Sequence, residues 1–419
     1  MVTAPVTLRS IAPSVFLPAL VFEIGNGAIA PVIALTALDL GASAGTAGFM
    51  LALLGIGQIL GDVPAARLAD RIGDRHAMLL AAGVALVALV ACFLAPSLLV
   101  LGPALLVIGA ANSTYYLARQ SYLTEVAPVT LRARAMSTLG GSHRIGLFLG
   151  PFVGAGAIAL VGLRGAYVVA MVAVVAAAVL LVVVPDVAPP AGSRAVRGGV
   201  GAATMLHRYR RLFATLGLAV LAVGAVRAAR QTVLPLWAEH LGLDAGQTSL
   251  IFGIASAVDM ALFYPSGKVM DRYGRLAIAL PSMLVLGAAM MAIPLTHGIV
   301  TLTLVAMIMS FGNGIGSGIM MTLGADVAPA DSRARFLSVW RLFSDSGNAA
   351  GPVVVSVVAL SAGLGAGIVA IGSVGLLAAA LLGVWVPRWS PFATPRSTRA
   401  HRDEGITREG PGRPPDRRA

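Results

Sequence analysis

A single shift of 201 residues superimposes the second half of the sequence on the first without a gap. It carries Pro64 onto Pro265 and Asn112 onto Asn313, and it preserves several glycines and arginines as well. Alanine and glycine match often by chance in an apolar sequence, but proline, asparagine and arginine are too sparse here for such agreement. The sequence is therefore an internal duplication, and we expect two halves of similar structure.

Long apolar segments separate the charged residues of both halves. Hydrophobic residues make up 58% of the chain, charged residues only 11%, and the mean hydropathy is +0.88, which is typical of a polytopic membrane protein. A membrane-spanning helix needs about 20 residues, and twelve segments supply close to that number. We therefore predict an all-α membrane protein with twelve transmembrane helices in two pseudo-symmetric six-helix bundles. The predicted spans are residues 11–38, 46–66, 77–96, 98–124, 135–161 and 165–184, then 212–237, 247–267, 276–296, 298–325, 336–361 and 364–386.

The segments outside the spans define the predicted domain boundaries. We assign residues 1–184 to an N-terminal six-helix bundle, residues 185–211 to a cytoplasmic linker and residues 212–387 to a C-terminal bundle. Residues 388–419 alternate proline, glycine and charges without apolar periodicity, which predicts a disordered cytoplasmic tail. A short amphipathic helix near the end of the linker is an alternative to a fully irregular linker. The first apolar segment is read as an uncleaved span because it is too long for a signal peptide and carries Glu23.

The basic residues are distributed asymmetrically about the membrane. The chain has 30 Lys and Arg against 18 Asp and Glu, a net charge of +12. Of the basic residues, 24 fall on the side that holds both termini and the linker, whereas only Arg164 lies in a loop on the other side. The positive-inside rule then predicts a multi-pass protein of the plasma (inner) membrane with both termini in the cytoplasm. Because these charges lie between apolar segments and form no basic domain, nucleic acid is not expected as a partner.

A charged sequence with the core Asp-Arg-x-Gly occurs once in each half, at residues 66–75 and 267–275. These copies resemble the signature that the major facilitator superfamily of transporters carries between its second and third helices and again between its eighth and ninth. The second copy fits the family pattern fully, whereas the first has Ala66 in place of the leading glycine and Asp74 in place of a basic residue. The resemblance covers residues 10–387 in motifs and helix count, and it implies the family's fold of two six-helix bundles.

The resemblance also implies a cytoplasmic gate. In the family the signature aspartate accepts hydrogen bonds near the start of a helix in the opposite half, here the eleventh span near Phe336, and holds the cytoplasmic side shut. An acid followed seven residues later by arginine ends the fourth and tenth spans and is similar to a pattern in the family's sugar-transporting members. The alternative is that these are surface charges that contribute little individually. The predicted gate residues are Asp70, Arg71, Gly73, Arg75, Glu125, Arg132, Gly267, Asp271, Arg272, Gly274, Arg275, Asp326 and Arg333.

The fifth span carries a glycine-rich sequence around Pro151. It resembles the Gly-xxx-Gly-Pro-xx-Gly motif of proton-coupled drug antiporters, with Ala155 in place of the last glycine. Glycine lets a neighbouring helix approach closely and proline kinks the axis, so a tight helix crossing with no bearing on the direction of transport is the alternative. The helix-packing residues of the two halves are Gly146, Gly150, Pro151, Gly154, Gly347, Gly351 and Pro352.

Ionisable side chains inside the spans point to a functional site, because a charge in hydrocarbon is costly unless it is paired or lines a cavity. Glu23 and Asp259 fall near mid-membrane, where transporters of this fold bind substrate and coupling ion. A carboxyl group in a poorly solvated cavity can take up and release a proton as access alternates, so both are proton-coupling candidates and Glu23 is the first choice. The substrate-cavity candidates are Asn26, Asn112, Tyr115, Tyr116, Arg119, His143, Arg144, Arg227, Arg230, Asn313, Arg341 and Asp345.

Several of these residues have simpler interpretations. Asp259 can be held ionised by Arg227 or Arg230, and Arg230 can instead extend to the nearby membrane surface. Arg341 and Asp345 stand four residues apart and can pair along their own helix.

The fourth span departs from the drug-antiporter pattern. That subgroup usually carries an arginine near the middle of the span followed by Gln-Gly, and here residues 105–109 keep only Gly109. Arg119 lies lower in the span and is not expected to take the role of that arginine. The polar and aromatic band at residues 112–116 either lines the cavity or forms hydrogen bonds between helices.

These features predict a secondary active transporter working by alternating access, closest in motif pattern to the 12-helix drug:proton antiporters and exporting a small amphiphilic drug or metabolite. Five arginines against three deep carboxylates favour an anionic or zwitterionic substrate. The alternatives are a facilitator or importer of a small polar or anionic solute, and a non-transporting membrane sensor. The sequence has no metal-ligand spacing, nucleophile constellation or phosphate loop, so we expect no enzyme activity, metal or cofactor, with the proton gradient as energy source. The expected partners of a monomeric chain are its small-molecule substrate and the lipid bilayer.

Overall fold

Every predicted span is helical in the computed structural model, which describes residues 11–127, 129–184, 202–329 and 333–399. The first half opens with the π-helical turn Ala12–Phe16 and continues with α1 Leu17–Ile29, α2 Val32–Asp39, α3 Ala44–Ile72, α4 Asp74–Leu94, α5 Leu98–Val126, α6 Val129–Val161 and α7 Gly165–Val183. The end of the linker forms α8 Ala202–Arg208 and α9 Arg210–Leu212. The second half then has the π-helical turn Phe213–Gly217, α10 Leu218–His240, α11 Ala245–Tyr273, α12 Leu276–Ala292, the 3-10 turn Ile293–Leu295, α13 Ile299–Ile315, α14 Ile319–Val327, α15 Arg333–Ala362 and α16 Leu364–Trp389.

Eleven helical segments of the described chain have the length and hydropathy needed to cross a membrane. The remaining predicted span, the eleventh in chain order, is α15, which is 30 residues long but more polar, because it carries Arg341, Asp345 and Asn348. Two of these side chains, Asp345 and Asn348, line the central cavity, where polar groups are expected in a membrane protein. The fold is the all-helical, twelve-span architecture that the sequence predicts.

The shift of 201 residues is preserved in the backbone. It carries α3 onto α11 with the same first and last positions, and the π-helical turn at the start of the first half onto that of the second. Glycines with positive φ correspond as well: Gly41 with Gly242 and Gly162 with Gly363. The halves also differ in places. The break between α1 and α2 has no counterpart in the continuous α10, and the left-handed conformation of Gly318 divides the second copy of α5 into α13 and α14.

The loops at the two signature sequences are shorter than predicted. α3 continues to Ile72, and only Gly73, with a φ of 83°, separates it from α4. In the same way only Gly274, with a φ of 87°, and Arg275 lie between α11 and α12. Glycine adopts this conformation without the steric cost that other residues carry, so one residue suffices to reverse the chain. Because long helices alternate in direction, Gly73 and Gly274 mark one face of the protein, the linker face, and the opposite face is called distal.

Each half has its own apolar core. Tyr115, Tyr167 and Phe22 are fully buried in the first, and Phe213 and Phe336 in the second. The cores are separate because the two halves meet mainly through two pairs of long helices, α3 with α15 and α6 with α11, with smaller contacts of α10 against α2 and α3. A polar crevice therefore remains between them.

The close contacts between the halves lie toward the distal face. A Cβ at Gly55 of α3 would stand 2.9 Å from the Cα of Ala349 on α15, and a Cβ at Gly253 of α11 would stand 2.6 Å from the ring of Phe152 on α6. Along α15, the exposed fraction of the side chain rises from 20% at Asp345 to 47% one turn nearer the linker face, at Arg341. The crevice is thus closed at the distal face and accessible from the linker face.

The end of the linker and the start of the tail both pack against the second half. α8 lies against α15 with Met205 buried, at the position of the predicted amphipathic helix. Residues 185–201 lie outside the described part of the chain.

The prediction placed the start of the disordered tail at residue 388, which is too early. α16 continues to Trp389, and two backbone N–H groups at the α11–α12 turn donate to the carbonyls of Phe392 and Ala393, each at 3.0 Å. These hydrogen bonds and the buried side chain of Ala393 hold the segment in place despite its polar composition. Residues 400–419 lie outside the described residues.

Candidate functional site

A cavity of about 510 Å³ lies between the two halves and is lined by residues near the middle of their long helices. Its walls come from both halves and combine charged and polar side chains with apolar ones such as Leu51, Phe148 and Phe252. Eleven of the residues predicted for proton coupling or for the cavity line it: Glu23, Asn26, Asn112, Tyr116, His143, Arg144, Arg227, Arg230, Asp259, Asn313 and Asp345. Tyr115, Arg119 and Arg341 are not among its lining residues.

Glu23 is the most deeply buried acid of the cavity wall. Its side chain is 0% exposed, with His143 Nδ1 at 2.9 Å and Arg119 Nη1 at 3.4 Å from Oε1. The other oxygen, Oε2, accepts from Asn26 Nδ2 at 3.3 Å and from the Tyr116 hydroxyl at 3.2 Å. A buried carboxylate is tolerable only with such partners, so α1, α5 and α6 together build this site.

The contact between α1 and α6 depends on small residues. A Cβ at Gly150 would stand 2.6 Å from the Cα of Gly27, and a Cβ at Gly146 would collide with the Cβ of Glu23. In the second half, Gly347 and Gly351 abut the backbone of α10 at the equivalent crossing. The glycines therefore set the distance at which His143 reaches Glu23.

Arg119 is placed by the structure behind Glu23 and not in the open cavity. Its side chain is 9% exposed, and its guanidinium lies 5.1 Å from the ring centroid of Tyr116. Tyr115 stacks on Phe22 with ring centroids 3.9 Å apart and contributes packing. The expectation that both line the cavity is wrong, because this part of α5 turns toward α1 within the first half.

Asp259 organises the second-half wall. Arg144 Nη1 lies 3.6 Å from its Oδ1 and Arg230 Nη2 3.8 Å from its Oδ2, while Asn313 Nδ2 donates to Oδ2 at 2.9 Å. Arg227 instead donates to Asn313 Oδ1 at 2.8 Å. The asparagine thus connects the buried arginine to the carboxylate.

The suggestion that Arg230 extends to the membrane surface is wrong. Its side chain is 14% exposed and donates to Ser310 Oγ at 2.8 Å. The nearby acid and hydroxyl group hold the guanidinium inside the protein.

Arg341 and Asp345 pair along their own helix, which was one of the two interpretations of their spacing. Arg341 Nε lies 3.3 Å from Asp345 Oδ2. Arg341 Nη1 also donates to Gln120 Oε1 across the crevice at 3.5 Å. Asn112, from the polar band of α5, lines the cavity and also donates to Asn26 Oδ1 at 3.3 Å, so both interpretations of the band hold for it.

Five polar lining residues were not predicted from the sequence: Gln58, Gln231, Thr232, Ser256 and Asn348. Burying an uncharged polar side chain costs less free energy than burying a charge, so such residues are harder to recognise as site residues in an apolar helix. The repeat itself could have found Gln58, since the shift of 201 residues aligns it with Asp259.

The predicted gate residues of the second half form a linked cluster at the linker face. Arg275 Nε and Nη2 donate to the two carboxylate oxygens of Asp326 at 2.8 and 3.1 Å, and Arg275 Nη1 lies 3.8 Å from Asp271. Ser390 Oγ also donates to Asp326, which ties the tail to the cluster. The side chain of Arg333, the predicted partner of Asp326, lies outside the described part of the structure.

The first-half gate residues are arranged differently. Arg75 donates to the carbonyls of Leu181 at 2.7 Å and Val184 at 2.8 Å, and so caps the end of α7. Asp70 and Arg71 are exposed in the last turn of α3, with Gly73 after it, and Glu125 lies near the end of α5. The side chain of Arg132, the predicted partner of Glu125, is outside the described residues. In the second half, Gly267 and Arg272 lie in the last turns of α11.

Comparison with known proteins gives the family. A model of the Major Facilitator Superfamily matches residues 15–352 and 216–408. No curated protein matches the sequence significantly.

Several solved transporter structures share the fold. A POT family transporter in complex with 5-aminolevulinic acid superimposes with a TM-score of 0.72 at 13% identity, over 91% of this chain and 96% of that one. A bacterial homolog of the human lysosomal transporter Spinster, inward-facing, gives 0.72 at 16% identity over 92% and 98%. The inward-open xylose transporter XylE from E. coli gives 0.69 at 17% identity over 94% and 100%. The chain belongs to the Major Facilitator Superfamily and is a multi-pass secondary transporter of a small-molecule substrate, not an enzyme.

Proposed function

We propose that this transporter couples export of a small amphiphilic substrate to protons carried by Glu23 together with His143. The observation that carries the proposal is the complete burial of Glu23 beside the imidazole of a cavity-lining histidine, whose side chain is 37% exposed. A proton arriving in the cavity has a route through His143 to the acid.

The surroundings of Glu23 make its charge state matter. Arg119 and Tyr116 face it from α5, His143 from α6 and Asn26 from its own helix. α7, which also packs on α1, contributes Tyr167, whose hydroxyl is occupied with Thr36. In so poorly solvated a site, adding or removing one proton changes which arrangement of α1, α5 and α6 is favoured. That dependence is what coupling to alternating access requires.

The proposed orientation puts the linker face in the cytoplasm of a cell with the protein in its plasma membrane. The cavity would then receive substrate from the cytoplasm, and its mixture of apolar and charged walls suits an amphiphile. The glycine and proline pattern of α6, which resembles that of proton-coupled drug antiporters, supports export. We propose that one chain suffices, because both walls of the cavity come from the same polypeptide.

A second candidate is a facilitator or importer that uses no proton. It is favoured by the contact of Arg119 with Glu23, because a carboxylate with a permanent cationic partner has no need of a proton. Ligand binding without flux would instead indicate a sensor with the same fold.

The test uses the full chain in liposomes loaded with a pH-sensitive dye and exposed in turn to an anionic, a zwitterionic and a cationic amphiphile. We expect protein-dependent proton movement with at least one probe and its loss in Glu23→Gln. Asp39→Asn, which removes an exposed carboxylate at the end of α2, is the matched control and should retain it. Equal proton movement in Glu23→Gln would overturn the assignment, and flux without proton movement would support the facilitator.

A further inference from the structure

The charges around the cavity are not evenly matched. Glu23 has Arg119 as its permanent cationic partner, and Asp345 has Arg341. Near Asp259, by contrast, three arginines line the cavity: Arg144 of the first half and Arg227 and Arg230 of the second. Arg144 and Arg230 face its carboxylate directly, whereas Arg227 is connected to it through Asn313. These four side chains together carry two more positive than negative charges.

The contacts of Asp259 with the arginines are loose. Its oxygens stand 3.6 and 3.8 Å from the nearest guanidinium nitrogens, which is beyond hydrogen-bond distance, and its one close partner is the neutral amide of Asn313 at 2.9 Å. Its buried Oδ1 atom makes no hydrogen bond. Asp259 therefore neutralises the charge of the arginines only in part, and little free energy is needed to rearrange these side chains.

A surplus of positive charge at the centre of a membrane is costly unless an anion offsets it. Guanidinium groups also have the fork-shaped geometry that binds carboxylates and phosphates through paired hydrogen bonds. The same cavity has apolar walls, including Leu51, Phe148 and Phe252, which offer room for a hydrophobic body.

We propose that the substrate carries an anionic headgroup, a carboxylate or a group of similar shape, which binds Arg144 and Arg230 in competition with Asp259, with its hydrophobic body against the apolar walls. This proposal rests on the proposed transport function and defines its substrate class. Since Arg144 lies on α6 of the first half and Asp259 on α11 of the second, a bound anion also breaks the ion pair that joins the halves at this level. Substrate binding thereby frees the two bundles to move.

The test measures equilibrium binding of three probes of one shape to the full chain in detergent, with empty micelles as reference. The probes are 4-phenylbutyrate, its neutral amide 4-phenylbutanamide and the cation 4-phenylbutylamine. A hydrogen bond to a charged group contributes about 1.5 to 3 kcal/mol, so we expect the carboxylate to bind at least roughly tenfold more tightly than the amide. The amine should bind most weakly.

Substitutions identify the site. Asp259→Asn removes the competing acid and should tighten carboxylate binding by about tenfold, whereas Arg230→Gln should weaken it by about tenfold. Arg388→Gln removes an exposed arginine near the end of α16 that is not among the cavity-lining residues, and as the matched control it should leave binding unchanged. A gain in affinity in Asp259→Asn cannot arise from misfolding, so this variant decides the matter if Arg230→Gln is unstable.

Tighter binding of the amine than of the carboxylate, or no gain in Asp259→Asn, would overturn the anion site. Neither result tests proton coupling, because binding in detergent involves no membrane and no proton gradient. Conversely, unchanged proton movement in Glu23→Gln would end the proposed proton role and leave anion binding intact.

Discussion

His143 and Arg144 are consecutive residues of α6, yet they contact carboxylates that belong to opposite halves of the protein. His143 Nδ1 lies 2.9 Å from Glu23 of the first half, and Arg144 Nη1 lies 3.6 Å from Asp259 of the second. A change in the charge of either carboxylate therefore acts on the same turn of α6. This is a short physical connection between the proposed proton site and the proposed substrate site.

Removal of the ion pair between the halves should shift the conformational equilibrium. In Arg144→Gln, we expect the arrangement closed at the distal face to lose about 1 kcal/mol, roughly a fivefold change in population. The measurement is the distance between spin labels at Arg67 and Lys268, exposed in the last turns of α3 and α11, in a Cys92→Ala background. Shorter distances at the linker face should become more populated. An unchanged distribution would mean that the pair does not hold the halves.

Breaking the buried pair of Glu23 should cost stability. Arg119→Met leaves an acid that is 0% exposed without its arginine, and such losses cost about 3 to 5 kcal/mol. Thermal unfolding in detergent measures the loss, and the double variant Glu23→Gln, Arg119→Met should regain most of it. Arg341→Met, in a pair whose arginine is 47% exposed, is the control and should cost at most about 1 kcal/mol. Similar losses in the two single variants would contradict the burial argument.

The crossing of α1 and α6 should tolerate no added methyl group at Gly150. In Gly150→Ala the Cβ would stand 2.6 Å from Gly27 Cα, and we expect a loss of about 1 to 3 kcal/mol in unfolding free energy from overpacking. Gly156→Ala lies on the same helix with nothing within 4 Å of the new Cβ and should leave stability unchanged or raise it. Equal behaviour of the two variants would rule out the tight crossing.

Alanine at the two turn glycines should destabilise the protein to different extents, because the tail packs against the turn at Gly274. Gly73→Ala and Gly274→Ala both place alanine at positive φ with an extended ψ, which costs about 1 to 3 kcal/mol. At Gly274 the new Cβ would also stand 2.8 Å from the carbonyl oxygen of Ala393, whereas nothing lies within 4 Å at Gly73. Thermal unfolding should therefore show the larger loss for Gly274→Ala. A larger loss for Gly73→Ala would mean that the tail does not dock at this turn.

The fold was predictable because its signals are local or periodic. Apolar segments of fixed length predict spans whatever their partners, and the sparse residues of the repeat, such as Asn112 and Asn313, align the halves directly. The pairing of Arg341 with Asp345 was equally predictable, since residues four positions apart share a helix face.

It was harder to predict from the sequence which side chains of the site contact each other. Arg119 meets Glu23 only because α5 is rotated toward α1, and the rotation of one helix against another leaves no trace in hydropathy. The contact of Arg144 with Asp259 depends on how the two halves are docked. The packed tail segment near Ala393 was missed because backbone hydrogen bonds hold it, and composition does not report them.

We expect one cavity between the two bundles to be exposed to each side of the membrane in turn. Ser256 lines that cavity, and cysteine differs from serine by one atom, so a Ser256→Cys variant in a Cys92→Ala background provides a probe. The measurement is its labelling by a membrane-impermeant maleimide in vesicles of each orientation. Labelling from both sides is the predicted result. Labelling from one side alone, with and without substrate and a pH gradient, would show that the cavity does not alternate between the two sides.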